Sequence, residues 1–177
     1  MMKLRSTGLA ALSALLLVGC GGPDAISVTV PDADVTGHIS RAFACQGAAR
    51  PLRFRLADMP AEVRSVALIF EEPAATSGAY VHWVVYGAPP ATAWLTADRL
   101  PDGAAMGLSQ LGVPVYVPPC PASGVHDYRV EVLGLDSELS FDAPPTAAEL
   151  RAAAAGHIVA RGEATVIYNP AADDVIL

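Results

Sequence analysis

Tyr80-Val81-His82-Trp83-Val84-Val85-Tyr86 is a run of aromatic and β-branched side chains with one imidazole among them. Such residues fit a pleated, packed surface, so the run predicts a buried β-strand. A polar ring inside an apolar strand must find a hydrogen bond or cost stability, which singles out His82. Upstream, Val63 to Phe70 is mostly apolar and suits a central strand. It ends in Glu71-Glu72-Pro73, which brings a carboxylate to the same end of the sheet. Further out, Leu52-Arg53-Phe54-Arg55-Leu56 alternates strictly, as a strand with one wet face does. Tyr128 to Leu135 alternates too, with Val130 and Val132 opposite Arg129 and Glu131. Ile26 to Val30 is a β-rich run stopped by Pro31, and Ala164 to Tyr168 is a short late strand.

Between Gly87 and Ser123 prolines and glycines recur, and the segment reads as a long loop of the kind that is usually functional. One helix is legible. Thr146 with Glu149 three residues later forms a capping box, and alanine-rich sequence follows to about Arg161. Leu150, Ala154 and Ile158 fall on one face of that helix. Many strands, long connections and few helices predict a mostly β domain of antiparallel sheets with peripheral helices. No internal repeat is visible. The 177 residues make one domain, and 53% hydrophobic against 16% charged excludes disorder. Eleven basic against eighteen acidic residues give −7, the wrong sign for a nucleic-acid partner.

The N-terminus reads as an address. Lys3 and Arg5 precede an apolar stretch from Leu9 to Val18, broken only by Ser13, and Leu17-Val18-Gly19-Cys20 follows. That order is a secretory signal, too short for a membrane span. Its last four residues resemble the lipobox of bacterial lipoproteins, which implies cleavage before Cys20 and lipid on that cysteine. The expected organisation is a signal peptide over 1–19, a lipidated tether over 20–25 and one domain over 26–177. Several acyl chains hold stably where one is marginal, so the domain would sit on a membrane of the cell envelope. Gly21 in place of aspartate resembles the outer-membrane sorting pattern of Gram-negative lipoproteins. Cleavage removes Lys3 and Arg5, so eleven basic residues become nine against eighteen acidic ones, a charge of −9 with no lysine left. Cys45 and Cys120 remain in an oxidising compartment. They are candidates for one disulfide, worth roughly 2–4 kcal/mol in the loop-entropy account, or for two separate buried thiols.

Few residues carry chemistry. His38 lies in a polar turn region with no evident partner, and His157, within the expected helix, reads as a packing residue. His82 lies within a strand and His126 just before one, and Glu72 could reach the same end of the sheet to form a histidine–carboxylate site; spacing alone favours a satisfied structural histidine. No H-x-x-x-H pair is present, so no metal is expected. No G-x-S-x-G nucleophile motif and no Gly-rich phosphate loop before a helix occur, and no cofactor is expected.

The order of features resembles the phosphatidylethanolamine-binding protein family, and within it the bacterial Raf-kinase-inhibitor-like branch. The resemblance rests on Val66-Ala67-Leu68-Ile69-Phe70-Glu71-Glu72-Pro73, on Val81-His82-Trp83-Val84-Val85-Tyr86, and on Pro119-Cys120-Pro121 with His126 and Tyr128. Phe43-Ala44-Cys45-Gln46-Gly47, Pro51-Leu52, Glu149-Leu150, Gly156-His157-Ile158 and Tyr168 extend it. It implies Greek-key antiparallel sheets, a C-terminal helix, and a pocket for small anions such as phosphate or a phospholipid headgroup. Residue by residue it implies a ligand site of Glu72, His82, Pro119, Cys120, His126 and Tyr128. Imidazole N–H groups and a Tyr hydroxyl would donate to an anion there, while a carboxylate would orient a histidine or meet an ammonium.

This chain departs from the family pattern at the rim. Ala74 replaces the second aspartate of D-P-D-x-P, and Asp127 replaces the arginine of H-R-Y. Gly107 to Tyr116 has lost the charges of the corresponding loop. A site stripped of cations in a −9 protein repels anions, so the pocket is expected to keep its shape and shift its preference. The expectation is a membrane-anchored binding module. The alternatives are a hydrolase using His82, His126 and Glu72 as acid–base groups, or a protein-interaction module with an idle pocket. The protein partner is not legible.

Overall fold

The computed structural model describes residues 24–75 and 78–172. The signal segment and Cys20 lie outside the described residues. In chain order the elements are β1 (Asp24–Ala25), β2 (Ser27–Thr29), a 3-10 turn at Arg41–Phe43, β3 (Phe54–Ala57), β4 (Ser65–Glu72) and β5 (Tyr80–Ala88). Then come β6 (Trp94–Leu95), β7 (Ala105–Met106), β8 (His126–Leu135), α1 (Ala147–Ala154) and β9 (Ile158–Tyr168). A six-stranded sheet has the order β1-β9-β8-β4-β5-β7, and a three-stranded sheet the order β2-β3-β6. All pairs are antiparallel except β1 with β9. After β5 the chain returns to the far side of β4 as β8, the crossed connection of Greek-key structures.

Alternation sorts each strand onto two faces. Val66, Leu68 and Phe70 of β4 meet Phe54, Leu56 and Leu95 of the small sheet in the main core. Ala67 and Ile69 face the other way, under Leu150 and Ala154 of α1. Gly162 permits the N-terminal segment to cross β9: a Cβ there would lie 2.4 Å from the Ile26 carbonyl oxygen.

Three expectations are corrected. The helix stops at Ala154 rather than near Arg161, because β8 offers a full-length edge and β9 pairs with it from Ile158 onward. His157 therefore lies beyond the helix, its Nδ1 2.9 Å from Asp136 Oδ1. His38 is not without a partner, for its Nδ1 lies 2.9 Å from the Thr36 hydroxyl. The sheet also takes in Asp24 and Ala25, at the end of the expected tether. The capping box is present, with Glu149 N–H donating to Thr146 Oγ1 and the Thr146 N–H donating back to Glu149. No helix among the described residues is long and apolar enough to cross a membrane.

Candidate functional site

His82 owes its orientation to a β-bulge. Across β4 and β5, Phe70 pairs with Trp83 but the next residue, Glu71, pairs with Val81. His82 is the extra residue, so it and Trp83 both turn to the main-core side instead of alternating. Its ring then packs 5.2 Å from Phe70 and edge-on, at 5.2 Å, to Tyr128.

The His82 side chain is committed on one nitrogen only. Nδ1 lies 2.9 Å from the Val117 carbonyl oxygen. A carbonyl only accepts, so Nδ1 carries the proton and a neutral ring leaves Nε2 as an acceptor. Burial depresses the ring's pKa, outweighing the Val117 bond and the Glu72 charge that pull it up. Nε2 is itself buried and finds no partner among the described residues.

That ring lines a cavity of about 150 Å³ together with Glu72, Tyr80, Pro118, Cys120 and Pro121. The proline-rich segment forms the far wall. Val117 N–H donates to the His82 carbonyl at 2.9 Å, and Cys45 N–H to the Pro119 carbonyl at 2.9 Å. Cys45 and Cys120 are disulfide-bonded, with Cα atoms 5.2 Å apart. Nearby, the 107–116 loop runs beside β5, its Gln110 N–H donating to the Val81 carbonyl. It presents Leu111, Val113 and Val115 to solvent.

His126 stands behind Glu72. Its Nδ1 is 2.7 Å from Glu72 Oε1 and its Nε2 3.0 Å from the Ser123 carbonyl oxygen. Both neighbours accept, so in the imidazolium form both N–H groups are committed and none is left for a ligand. The Glu72 bond is the main reason its pKa rises above the ordinary imidazole value. Tyr128 is fully buried behind His82, its hydroxyl pKa pushed up first by burial and then by Glu72.

Of the residues expected at the site, Glu72, His82 and Cys120 line the cavity, while Pro119, His126 and Tyr128 support the lining. Glu72 joins the two histidines, one through the shared hollow and one through a hydrogen bond. Sequence reasoning missed Tyr80, Pro118 and Pro121. Tyr80 was accessible to it as the residue two before His82 on one strand; the prolines were not, because a loop's path is not periodic. Among the described residues no group of three or more His, Cys, Asp or Glu is placed to hold a metal ion.

The phosphatidylethanolamine-binding protein family model matches residues 29–169. The chain belongs to that family. A UPF0098 protein of Methanothermobacter thermautotrophicus is 34% identical over 136 residues, covering 74% of this chain and 89% of that one. Lipoprotein LppC of Mycobacterium tuberculosis is 33% identical over 129 residues, covering 71% of this chain and 62% of that one. Among solved structures, a phosphatidylethanolamine-binding protein homologue from Chlamydia trachomatis superposes with a TM-score of 0.76 at 30% identity, covering 82% of this chain and 98% of that one. Escherichia coli YbcL shares the fold, with a TM-score of 0.73 at 22% identity over 81% of this chain and 98% of its own. Glu72, the last residue of β4, carries the bond to His126.

That bond sets a titration. Because the folded pKa of His126 is raised, the pair stabilises the fold fully below the ordinary imidazole range and the contribution is lost as pH rises through the folded value. Glu72→Gln is expected to bring the His126 transition down toward 6.5 while leaving His82 depressed, followed by NMR of the ring protons. A His126 midpoint unmoved by the substitution contradicts the assignment of Glu72 as its partner.

Proposed function

We propose that the mature chain is a lipid-anchored, extracytoplasmic binding module of the cell envelope. Its cavity takes a small polar molecule of the phospholipid-headgroup type, with preference moved away from the free anion. The module binds and does not hydrolyse. The observation that carries this reading is the unpartnered, buried Nε2 of His82 on the wall of a small cavity beside Glu72. An unsatisfied buried acceptor costs roughly 1–3 kcal/mol, and a ligand with a matching donor removes that cost.

The charge of the lining supports the shifted preference. Glu72 is its carboxylate, His82 is neutral at pH 7, and among the described residues no arginine or lysine lines it. Acceptors facing inward favour a ligand with N–H or O–H donors, such as a primary ammonium, over phosphate. The lipobox-like Leu17-Val18-Gly19-Cys20 supports the anchor, and the similarity to lipoprotein LppC agrees with it.

Calorimetry of the mature chain with inorganic phosphate, phosphoethanolamine and ethanolamine tests this. Phosphate is expected to bind no tighter than about millimolar, and the two amines at least about tenfold tighter, a difference near 1.4 kcal/mol. His82→Ala is expected to abolish the preference. Micromolar phosphate binding would overturn the reading, and turnover of phosphoester or carboxyester substrates that His82→Ala removes would replace it with the hydrolase.

A further inference from the structure

We propose that the Cys45–Cys120 disulfide is a thiol-exchange site whose reduction dismantles the wall of the cavity while the two sheets stay folded. Both half-cystines are solvent-exposed, so an external dithiol can reach the bond without prior unfolding. Cys120 is at once one end of the bridge and part of the cavity lining.

The wall depends on this cross-link for a chemical reason. Residues 114–121 read Pro-Val-Tyr-Val-Pro-Pro-Cys-Pro, and the four prolines have no N–H to donate. No regular secondary structure forms over that segment. Among the described residues the ties at the cavity end are the Val117–His82 pair, Cys45 N–H to the Pro119 carbonyl, and Gln46 Nε2 to the Pro121 carbonyl at 2.6 Å, while Tyr116, which does not line the cavity, is held in the main core and by the Leu52 N–H. Two of these ties run to Cys45 and its neighbour, the segment that the disulfide itself positions. The bridge spans 75 residues of sequence but joins two surface segments outside the paired strands, so opening it removes no strand from either sheet.

The exchange balances without a further reactant. One thiolate of a dithiol attacks a half-cystine sulfur; the S–S bond breaks and its electron pair leaves on the other sulfur. The second thiol of the dithiol displaces the mixed disulfide. The protein ends with two thiols and the dithiol as its cyclic disulfide. The chemical class of partner is therefore a reducing dithiol, small or carried by a protein. The consequence for ligand binding rests on the cavity reading above, but the state of the wall is measurable with no ligand present.

The test treats the mature chain with dithiothreitol without denaturant. Alkylation and mass measurement count the thiols, far-UV circular dichroism follows the strands, and NMR follows the His82 ring. Two thiols are expected with the β signal retained. The His82 midpoint is expected to rise toward the ordinary imidazole range, because the loss of burial, the larger influence, outweighs the loss of the Val117 bond. The double variant Cys45→Ser/Cys120→Ser is expected to show the same His82 midpoint without reductant. A disulfide that resists until denaturant is added overturns the proposal. So does a His82 midpoint unmoved in the dithiol form, or loss of the β signal in either the reduced chain or the variant. Failure of all three amine and phosphate titrations with this His82 response intact would overturn the binding reading alone.

Discussion

Replacing Arg151 with methionine is expected to lower the unfolding free energy by about 2–3 kcal/mol at pH 7, although the residue does not line the cavity. Glu71 is 2% exposed beneath α1 and accepts from Arg129 at 2.5 Å and from Arg151 at 2.8 Å. Arg151 also donates to Glu131, which Arg161 reaches at 3.2 Å. Methionine keeps much of the stem's packing, so the loss isolates the charge. The cost falls at or below the low end for a broken buried pair because Arg129 still faces Glu71. The pH dependence has a fixed sign. Burial alone would raise the Glu71 pKa, but the bonds and charges of Arg151 and Arg129 win and hold it below the ordinary 4.5. The stability it contributes is therefore present above that value and is lost as pH falls through the folded pKa. In the variant the Glu71 pKa moves up, so acid unfolding begins at higher pH. Urea melts between pH 3 and 7 on wild type, Arg151→Met, Glu71→Gln and the double variant would read the coupling. A single-variant cost under about 0.5 kcal/mol with an unchanged acid limb would show the network to be an exposed pair of little consequence.

That network also marks where sequence reading stops. Arg129 and Glu131 alternate with Val130 and Val132, and alternation assigns them a wet face. Glu131 is instead buried, because α1 lies across that face and supplies Arg151. Periodicity tells which residues share a side of a strand, not what a distant helix places over it. The long apolar strands were legible because their composition outweighs everything else, and β4 and β5 lie within two residues of the expected runs. The alanine-rich run past Ala154 misled for the opposite reason: helix propensity there is a few tenths of a kcal/mol per residue, and pairing with β8 overrides it. At the site, Glu72 and His126 were legible as strand-end neighbours. The facing of His82 was not, since strict alternation puts it with Val84 under the helix and only the bulge turns it to the core. The disulfide was open on sequence, because 75 residues of separation carry no geometry until the proline-rich segment is laid against Cys45.

The bulge makes Trp83 the residue whose loss should propagate furthest. Trp83→Ala is expected to lower the unfolding free energy by about 4 kcal/mol. The indole is fully buried at the centre of the main core, stacked 5.9 Å from Phe54 and edge-on to Tyr116 at 5.9 Å. Tyr116 in turn stacks on Phe70 at 6.1 Å and accepts from the Leu52 N–H at 3.3 Å. An alanine would leave a void against rings anchored on three separate segments, β3, β4 and the proline-rich loop, which cannot all collapse into it at once. Trp83→Phe should cost far less, about 1 kcal/mol, for two reasons. It keeps most of the stacking on Phe54. It also removes a buried Nε1–H that has no partner among the described residues, so its lost volume is offset by a lost desolvation penalty. Because Trp83 and His82 share the bulge, the alanine variant should also loosen the His82 ring and raise its titration midpoint, while the phenylalanine variant leaves it depressed. Urea unfolding followed by circular dichroism, with NMR of the imidazole, measures both. An alanine cost below about 1.5 kcal/mol, or equal midpoints for His82 in the two variants, would mean that core and cavity are not coupled through this strand.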